Sequence, residues 1–381
     1  MSSQDDKFML SALKLAKRGI GSVEPNPAVG CIVVKGNQAV GKGWHKKFGE
    51  AHAEINALED CKSLGVEPKG STMYVTFEPC CHQGKTGPCT DAIIEAKPAK
   101  VIVAMIDPSE NVNGKGVEQL RNAGIEVVTG VCQTKAKLLN GPFIKFAKTG
   151  KTWVTLKWAQ SIDGKLAWAD QETEQKWISN EQSRKDAHLL RLRCQAILVG
   201  INTVLIDDPL LTPRPSKGKK PTRIVLDSHL RIPLDSQLLK TANKTPVLIL
   251  TSEQTVRQNP QIAEQVAKKG AELLVFGDIS GQSNLPFLME QLSSRGITQL
   301  LVEGGPTVIA SFIKENLVDE VCVYIAPKLL GGLGAAGINK GIAELNKVLE
   351  LHYVSVKTFD DDIHITGLTN NALESIGINE T

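Results

Sequence analysis

His52-Ala53-Glu54, answered downstream by Glu78-Pro79-Cys80-Cys81-His82-Gln83-Gly84-Lys85-Thr86-Gly87-Pro88-Cys89, is the stretch from which the rest of the chain can be read. One imidazole and two thiolates are three ligands suited to zinc, which in catalytic sites keeps its fourth tetrahedral position for water. Glu54 stands outside that ligand set and is free to move protons. His52 reads as the start of a helix to about Cys61, where first-turn amides are unpaired and the Glu54 carboxylate is favoured. Cys89 reads as the start of another helix, to Ala96, where a thiol's pKa falls and ligation is eased. A helix cap and a solvated carboxylate would account for His52 and Glu54 taken alone. The two Pro-Cys pairs that follow in order turn the reading to a metal centre. His82 is either a competing ligand or a group facing the substrate, and Cys81, next to Cys80, points elsewhere.

Working outward, Phe8–Lys17 has helical apolar spacing, and Ala28–Val34, Gly36-Asn37 and Gln38–Trp44 read as a hairpin. A strand Thr72–Phe77, a strand Lys100–Met105, a helix Val117–Ala123 and a strand Ile125–Val128 follow. This alternation predicts a largely parallel sheet with helices on both faces. A helical connector, Gln133–Thr149, ends at Gly150, and the domain boundary is placed there: residues 1–149 and 150–381.

The second series of strands is predicted at Thr152–Leu156, Ala196–Val199, Arg223–Leu226, Val247–Leu250, Leu273–Phe276, Leu300–Glu303 and Val321–Ile325. These are short aliphatic runs of the kind buried in an α/β sheet. Val348–Leu368 reads as an antiparallel edge hairpin turning near Asp360–Asp362, and Pro213–Pro221 as a surface loop. Gly304-Gly305-Pro306-Thr307 lies between a strand and a predicted helix Val308–Lys314, a turn that lets helix N-terminal amides approach a pyrophosphate. No G-x-G-x-x-G run marks a Rossmann domain.

The 381 residues carry 22% charged and 41% apolar side chains and a net charge of +3, a globular composition that gives no reason to expect nucleic acid or an anionic membrane as partner. The polar first residues lack the order of a signal peptide, so a cytoplasmic location is expected. Eight cysteines then read as thiols or ligands rather than disulfides, with Cys31, Cys61, Cys132, Cys194 and Cys322 as ordinary thiols.

The zinc motif resembles that of the cytidine-deaminase superfamily, H-x-E followed by P-C-x-x-C. Here eight residues, 81–88, separate Cys80 from Cys89 instead of two. That longer loop is similar to the riboflavin-pathway pyrimidine deaminases, which share Pro25-Asn26-Pro27 and Val29-Gly30-Cys31; many of them carry proline where this chain has Gly87. Asn26, between two prolines, is a candidate pyrimidine-binding amide.

Leu156-Lys157-Trp158-Ala159-Gln160-Ser161-Ile162-Asp163-Gly164-Lys165 resembles the opening of the riboflavin-pathway reductases, which are similar in fold to dihydrofolate reductase. The likeness continues through Trp177-Ile178-Ser179, Arg191-Leu192-Arg193, Gly200-Ile201-Asn202-Thr203-Val204, Asp207-Asp208-Pro209-Leu210-Leu211-Thr212, Val225-Leu226-Asp227-Ser228 and Val302-Glu303-Gly304-Gly305-Pro306-Thr307. The fold it implies is α/β throughout, with an N-terminal cytidine-deaminase-like three-layer domain and a C-terminal dihydrofolate-reductase-like domain.

The activity implied is zinc-dependent hydrolytic deamination of a phosphoribosylamino-pyrimidine, with Glu54 as catalytic proton carrier. NADPH-dependent reduction of the ribosyl group to ribityl follows. The resemblance assigns Ala159, Trp177, Thr203, Asp207, Ser228, Gly305, Pro306, Thr307, Val308, Ile309, Ala310 and Ser311 to NADPH, and Gln175, Arg191, Leu211, Arg214 and Glu303 to substrate. The arginines suit its ribose phosphate because guanidinium grips phosphate in bidentate fashion. Ser228 with Arg231 would hold the cofactor's 2′-phosphate, and a homo-oligomer, dimer or tetramer, is expected. Two other classes stay open at this point, a nucleic-acid deaminase and a zinc-stabilised scaffold without activity.

Overall fold

The computed structural model describes residues 3–83, 87–110, 112–168, 177–216, 219–277, 284–335 and 348–379. The chain divides into two compact units, Met1–Gly150 and Lys151–Asn379.

In the first unit, β1 (Gly30–Lys35), β2 (Gln38–Trp44), β3 (Thr72–Val75), β4 (Lys100–Val103) and β5 (Glu126–Thr129) form a sheet in the order β2-β1-β3-β4-β5. The predicted hairpin is present. Its two-residue turn places both Gly36 (φ 54°) and Asn37 (φ 66°) in the left-handed region, the geometry that matches the twist of the flanking strands. The sheet is less parallel than the alternation predicted: β3, β4 and β5 run parallel, but β1 pairs antiparallel with both β2 and β3. The helix Ala53–Ser63 that connects β2 to β3 crosses back over the hairpin, so β3 enters beside β1 in the opposite direction.

Side chains alternate across a strand, so Gly30 and Cys31 face opposite sides of the sheet, and Cys31 shares its face with its partner Gly43. A Cβ at Gly30 would lie 2.1 Å from Ala12 O, and one at Gly43 would lie 2.2 Å from Ala53 O. Helix Ser3–Ala16 therefore packs at backbone distance on one face and helix Ala53–Ser63 on the other, giving three layers. The core on the second face joins Cys31, Val33, Ala57, Cys61 and Val75 to Ile93 of helix Cys89–Ala96 and Val117 and Leu120 of helix Lys115–Asn122.

The second unit holds β6 (Trp153–Ser161), β7 (Ala196–Gly200), β8 (Thr222–Leu226), β9 (Val247–Ser252), β10 (Glu272–Phe276), β11 (Gln299–Gly304), β12 (Glu320–Ala326), β13 (His352–Phe359) and β14 (Asp362–Leu368). Their order is β10-β9-β8-β7-β11-β6-β12-β14-β13, parallel as far as β12 and antiparallel through the edge hairpin. Both faces are buried. Leu198, Ile224 and Leu248 pack with Leu288 and Phe312 on one side, while Ile197, Val225 and Ile249 pack with Leu190, Val204 and Val266 on the other. That double burial is why the strands read as unbroken aliphatic runs.

β6 extends five residues past the predicted end at Leu156, to Ser161. Lys157 to Ser161 pair with Cys322 to Ala326 of β12, so backbone pairing carries the strand where its polar side chains concealed it. A helix, Asn370–Ile376, capped by the Thr369 side chain, follows the hairpin without having been predicted. Lys217 of the predicted surface loop lies outside the described residues. All eight cysteines are free thiols; Cys31, Cys61, Cys194 and Cys322 are core, whereas Cys132 is half-buried and donates to Asp6 Oδ1 at 3.4 Å.

Candidate active sites

In the first unit one end of the sheet delivers the chemistry: Val29 precedes β1, His45 follows β2, Phe77 and Glu78 follow β3, and Asp107 lies beyond β4. These residues line one cavity of about 380 Å³ that also takes in His52, Glu54, Cys80, His82 and Asn26. His52 is the N-cap of helix Ala53–Ser63, in extended backbone (φ −74°, ψ 170°), and its side chain makes no capping hydrogen bond. The imidazole is instead turned to the thiols, with Nδ1 3.3 Å from Cys89 Sγ and 3.5 Å from Cys80 Sγ. The donor atoms of His52, Cys80 and Cys89 all lie within 4.8 Å of one another, and His82 is not part of that group.

The donor set fits zinc in kind and in electrostatics. Hydrogen bonding from the Cys89 thiol, helped by His52 and by the Cys89 amide at 3.4 Å, overcomes burial and holds the Cys80 thiol down at about 4. The Cys80 sulfur and burial push the Cys89 thiol in the opposite direction, far above its ordinary value. Two adjacent thiolates repel one another, and a divalent cation between them relieves both. Glu54, only 3% exposed, has its carboxyl pushed up to about 7, first by burial and then by the Cys80 thiolate. It can hold or release a proton near neutral pH.

Several groups here were not singled out in the sequence. His45 is 2% exposed, its ring meets that of His52 edge-on at 5.1 Å, and Nδ1 donates to Ala51 O at 3.2 Å. Its Nε2 is buried with no hydrogen-bond partner in the cavity wall. Glu78 and Asp107 are likewise buried. The signal available was position: each follows the end of a strand at the edge where α/β sheets collect their ligands.

In the second unit the residues assigned to NADPH collect at the carboxyl ends of the parallel strands. Ala159 lies on β6, Thr203 and Asp207 lie on helix Ile201–Asp207 after β7, Ser228 follows β8, and Gly305 follows β11. Gly305 has φ +61° and is the N-cap of helix Pro306–Lys314, with Pro306 in its first turn. Thr203 Oγ1 lies 3.3 Å from where a Cβ on Gly304 would stand and 3.8 Å from one on Gly305, so the helix that carries Thr203 borders the turn. Side-chain-free backbone beside unpaired N-terminal amides fits a pyrophosphate. Trp177 lies beyond the carboxyl end of β12, 55% exposed, with the Arg184 guanidinium 5.4 Å from its ring and its carbonyl accepting from Lys328 Nζ. Arg231 is held by Asn202 Oδ1 at 3.2 Å.

Among the residues assigned to substrate, Gln175 lies outside the described residues. Leu211 is buried with φ +49°, and Arg214 is exposed. Arg191 and Glu303 are brought together: Nε and Nη2 donate to the two carboxylate oxygens at 2.6 and 2.7 Å, and Nη1 donates to Thr212 O at 3.1 Å. The bidentate face of Arg191 is thus already filled by protein. Burial raises the Glu303 carboxyl, but Arg191, with Lys157 behind it, outweighs this and holds it at about 2. Burial, then Arg191 and Arg214, depress His188 to about 4.

Both shifts run below the ordinary values, so both groups stabilise the fold above their unfolded pKa and lose that stabilisation as pH falls through the folded one. For Glu303 the window is from about 4.5 down to about 2, and the 9% exposure of its side chain leaves little screening, so about 3 kcal/mol is at stake. Urea titrations should show wild type losing stability more steeply than Glu303→Gln between pH 4.5 and 3. Equal slopes would refute the assignment.

Comparison with known proteins adds a family context. The family described as the RibD C-terminal domain matches residues 152–365, and the cytidine and deoxycytidylate deaminase zinc-binding region matches residues 2–105. The riboflavin biosynthesis protein RibD of Aquifex aeolicus is 42% identical over 364 residues, 95% of this chain and 97% of its own length. That of Escherichia coli is 37% identical, covering 96% and 100%. A solved structure of Acinetobacter baumannii RibD superposes with a TM-score of 0.80 at 36% identity over 96% of this chain and 99% of its own. A Thermotoga maritima structure, described as a diaminohydroxyphosphoribosylaminopyrimidine deaminase/5-amino-6-(5-phosphoribosylamino)uracil reductase, does so at 0.79 and 33%, with the same coverage.

Proposed function

The chain belongs to the RibD family of riboflavin biosynthesis proteins, and we propose that its first unit carries the family's deaminase centre and its second the reductase centre, each on the residues named above. The protein is a bifunctional deaminase and reductase that uses zinc and NADPH. The observation that carries the residue assignment is the meeting of His52, Cys80 and Cys89 within 4.8 Å, beside a buried Glu54, at the wall of one cavity.

His52, Cys80 and Cys89 would hold zinc, which supplies Lewis acidity enough to bring the pKa of water to about 7. Glu54 Oε accepts a proton from the attacking water and returns one to the departing amine, a double use suited to a carboxyl pushed up to about 7. Asn26 offers an amide to the pyrimidine edge, and His82 faces it from the loop after Cys80. In the second unit the turn at Gly305, with Thr203 beside it, receives the cofactor's phosphates. NADPH supplies the hydride, and the chain orients cofactor and sugar. Arg214 is the exposed cation for the ribose phosphate, while Arg191 and Glu303 form the wall behind it.

A homo-oligomer is supported by the outer edge of the nine-stranded sheet. There β13 exposes Tyr353, Val354 and Val356, and Ile363 of β14 lies alongside. Eight free thiols suit a reducing, cytoplasmic setting.

A coupled assay tests the whole reading. With the diaminopyrimidine phosphoriboside, ammonia release and NADPH oxidation should appear in sequence and in equal amounts; ammonia without NADPH oxidation would refute the second half, and neither product would refute both.

A further inference from the structure

Glu78 has no role in the chemistry above, yet it is the most heavily hydrogen-bonded side chain near the metal ligands. It is 4% exposed and stands two residues before Cys80. One carboxylate oxygen accepts the backbone N–H groups of Asp107 (3.0 Å) and Gly114 (2.9 Å). The other accepts those of Gly116 (2.9 Å) and Val117 (3.2 Å). Three of the four donors open helix Lys115–Asn122, whose own N-cap, Gly114, makes no side-chain cap. Glu78 therefore caps that helix from the segment that follows β3, far away in sequence, where a negative charge is favoured by the unpaired amides and the helix dipole.

A second contact locks the same two segments without charge. A Cβ on Gly116 would lie 2.1 Å from Pro79 O, so the first turn of the helix lies directly against the peptide that leads into Cys80. The loop gathered by Glu78 also supplies Asp107, Ser109 and Val112 to the cavity wall. One buried carboxylate thus joins a metal ligand's backbone to other residues of the cavity wall.

From this geometry we infer that Glu78 is the positioning residue of the metal centre: it fixes Cys80 against His52 and Cys89, and it ties zinc retention to the placement of Asp107, Ser109 and Val112 in the cavity wall. This rests on His52, Cys80 and Cys89 being the ligands. An amide in place of the carboxylate keeps the volume but turns an N–H₂ group toward two of the four donors, leaving them without an acceptor. Partners that orient a ligand without touching the metal are worth about 10- to 100-fold in affinity or activity.

The test begins with stripping of zinc from full-length holoenzyme by a chelator. Glu78→Gln should release zinc about 10- to 100-fold faster than wild type. Its cobalt-substituted form should show a weakened or shifted visible band, and NADPH-dependent reduction of the deaminated intermediate should be unchanged. Glu78→Asp, which keeps the charge on a shorter stem, should fall between. Wild-type release rate and cobalt spectrum in Glu78→Gln, with only a lower melting temperature, would make Glu78 a structural cap and overturn the proposal.

Linkage provides a reading on the wild-type protein, for use if the variant fails to fold. The amides of Asp107, Gly114, Gly116 and Val117 should exchange with deuterium at least about tenfold faster once zinc is stripped. Equal protection with and without zinc would overturn the coupling. Zinc held through residues other than His52, Cys80 and Cys89 is distinguishable from this failure, because Cys80→Ser would then keep its metal.

Discussion

Glu54→Gln is expected to lose about 10²- to 10⁴-fold in deamination while keeping its zinc and its reductase activity. The substitution is nearly isosteric, so a side chain 3% exposed keeps its packing. It removes a carboxyl that burial already disfavours in its charged form, so stability should hold or rise slightly. What disappears is the group assigned to take a proton from water and return it to the amine. Ammonia release from the diaminopyrimidine phosphoriboside, metal content and NADPH oxidation on the deaminated intermediate measure the three quantities separately. Comparable loss of both activities in a folded variant would sink the assignment of independent centres. Loss of zinc would make Glu54 a part of the metal site rather than its proton carrier.

Arg191→Ala should be strongly damaging to the second unit, for a reason the sequence did not show. The guanidinium and the Glu303 carboxylate form a bidentate pair with side chains 16% and 9% exposed. Removing one partner leaves a buried charge uncompensated, at a cost of about 3–5 kcal/mol, and frees the Thr212 carbonyl that Nη1 also held. The reductase KM for the phosphorylated substrate should rise as well, because Thr212, two residues before Arg214, loses the guanidinium that holds its carbonyl. The double variant Arg191→Met, Glu303→Gln separates the two effects. It should recover most of the stability, since neither charge remains, and a KM defect that persists would trace to the side chains removed rather than to a stranded Glu303 charge. A KM that returns to normal would limit Arg191 to holding the wall.

Local signals carried far in this chain because several are nearly self-sufficient. Gly36-Asn37 between apolar runs specifies a hairpin, since both positions must adopt positive φ. The helix from Cys89 to Ala96 and the turn from β11 into helix Pro306–Lys314 were legible for similar reasons of end chemistry. Misreadings arose where pairing or packing overrode the pattern. The antiparallel entry of β3 beside β1 depends on how helix Ala53–Ser63 crosses the sheet, and the polar second half of β6 is held by β12.

The sequence by itself determined the metal chemistry and the order of the two centres. Ligand identity resides in side-chain type, and a run of motifs in order along the chain needs no coordinates to be recognised. Only the tertiary structure decided which charges are paired within the protein and which stand exposed. Arg191 and Arg214 look alike as residues, yet one is filled by Glu303 and the other is exposed. Glu78, an unremarked neighbour of Pro79-Cys80, proves to gather four amides from positions 29 to 39 residues on. Hydrogen-bond satisfaction and desolvation are properties of surroundings, and those surroundings exist only once distant segments have met.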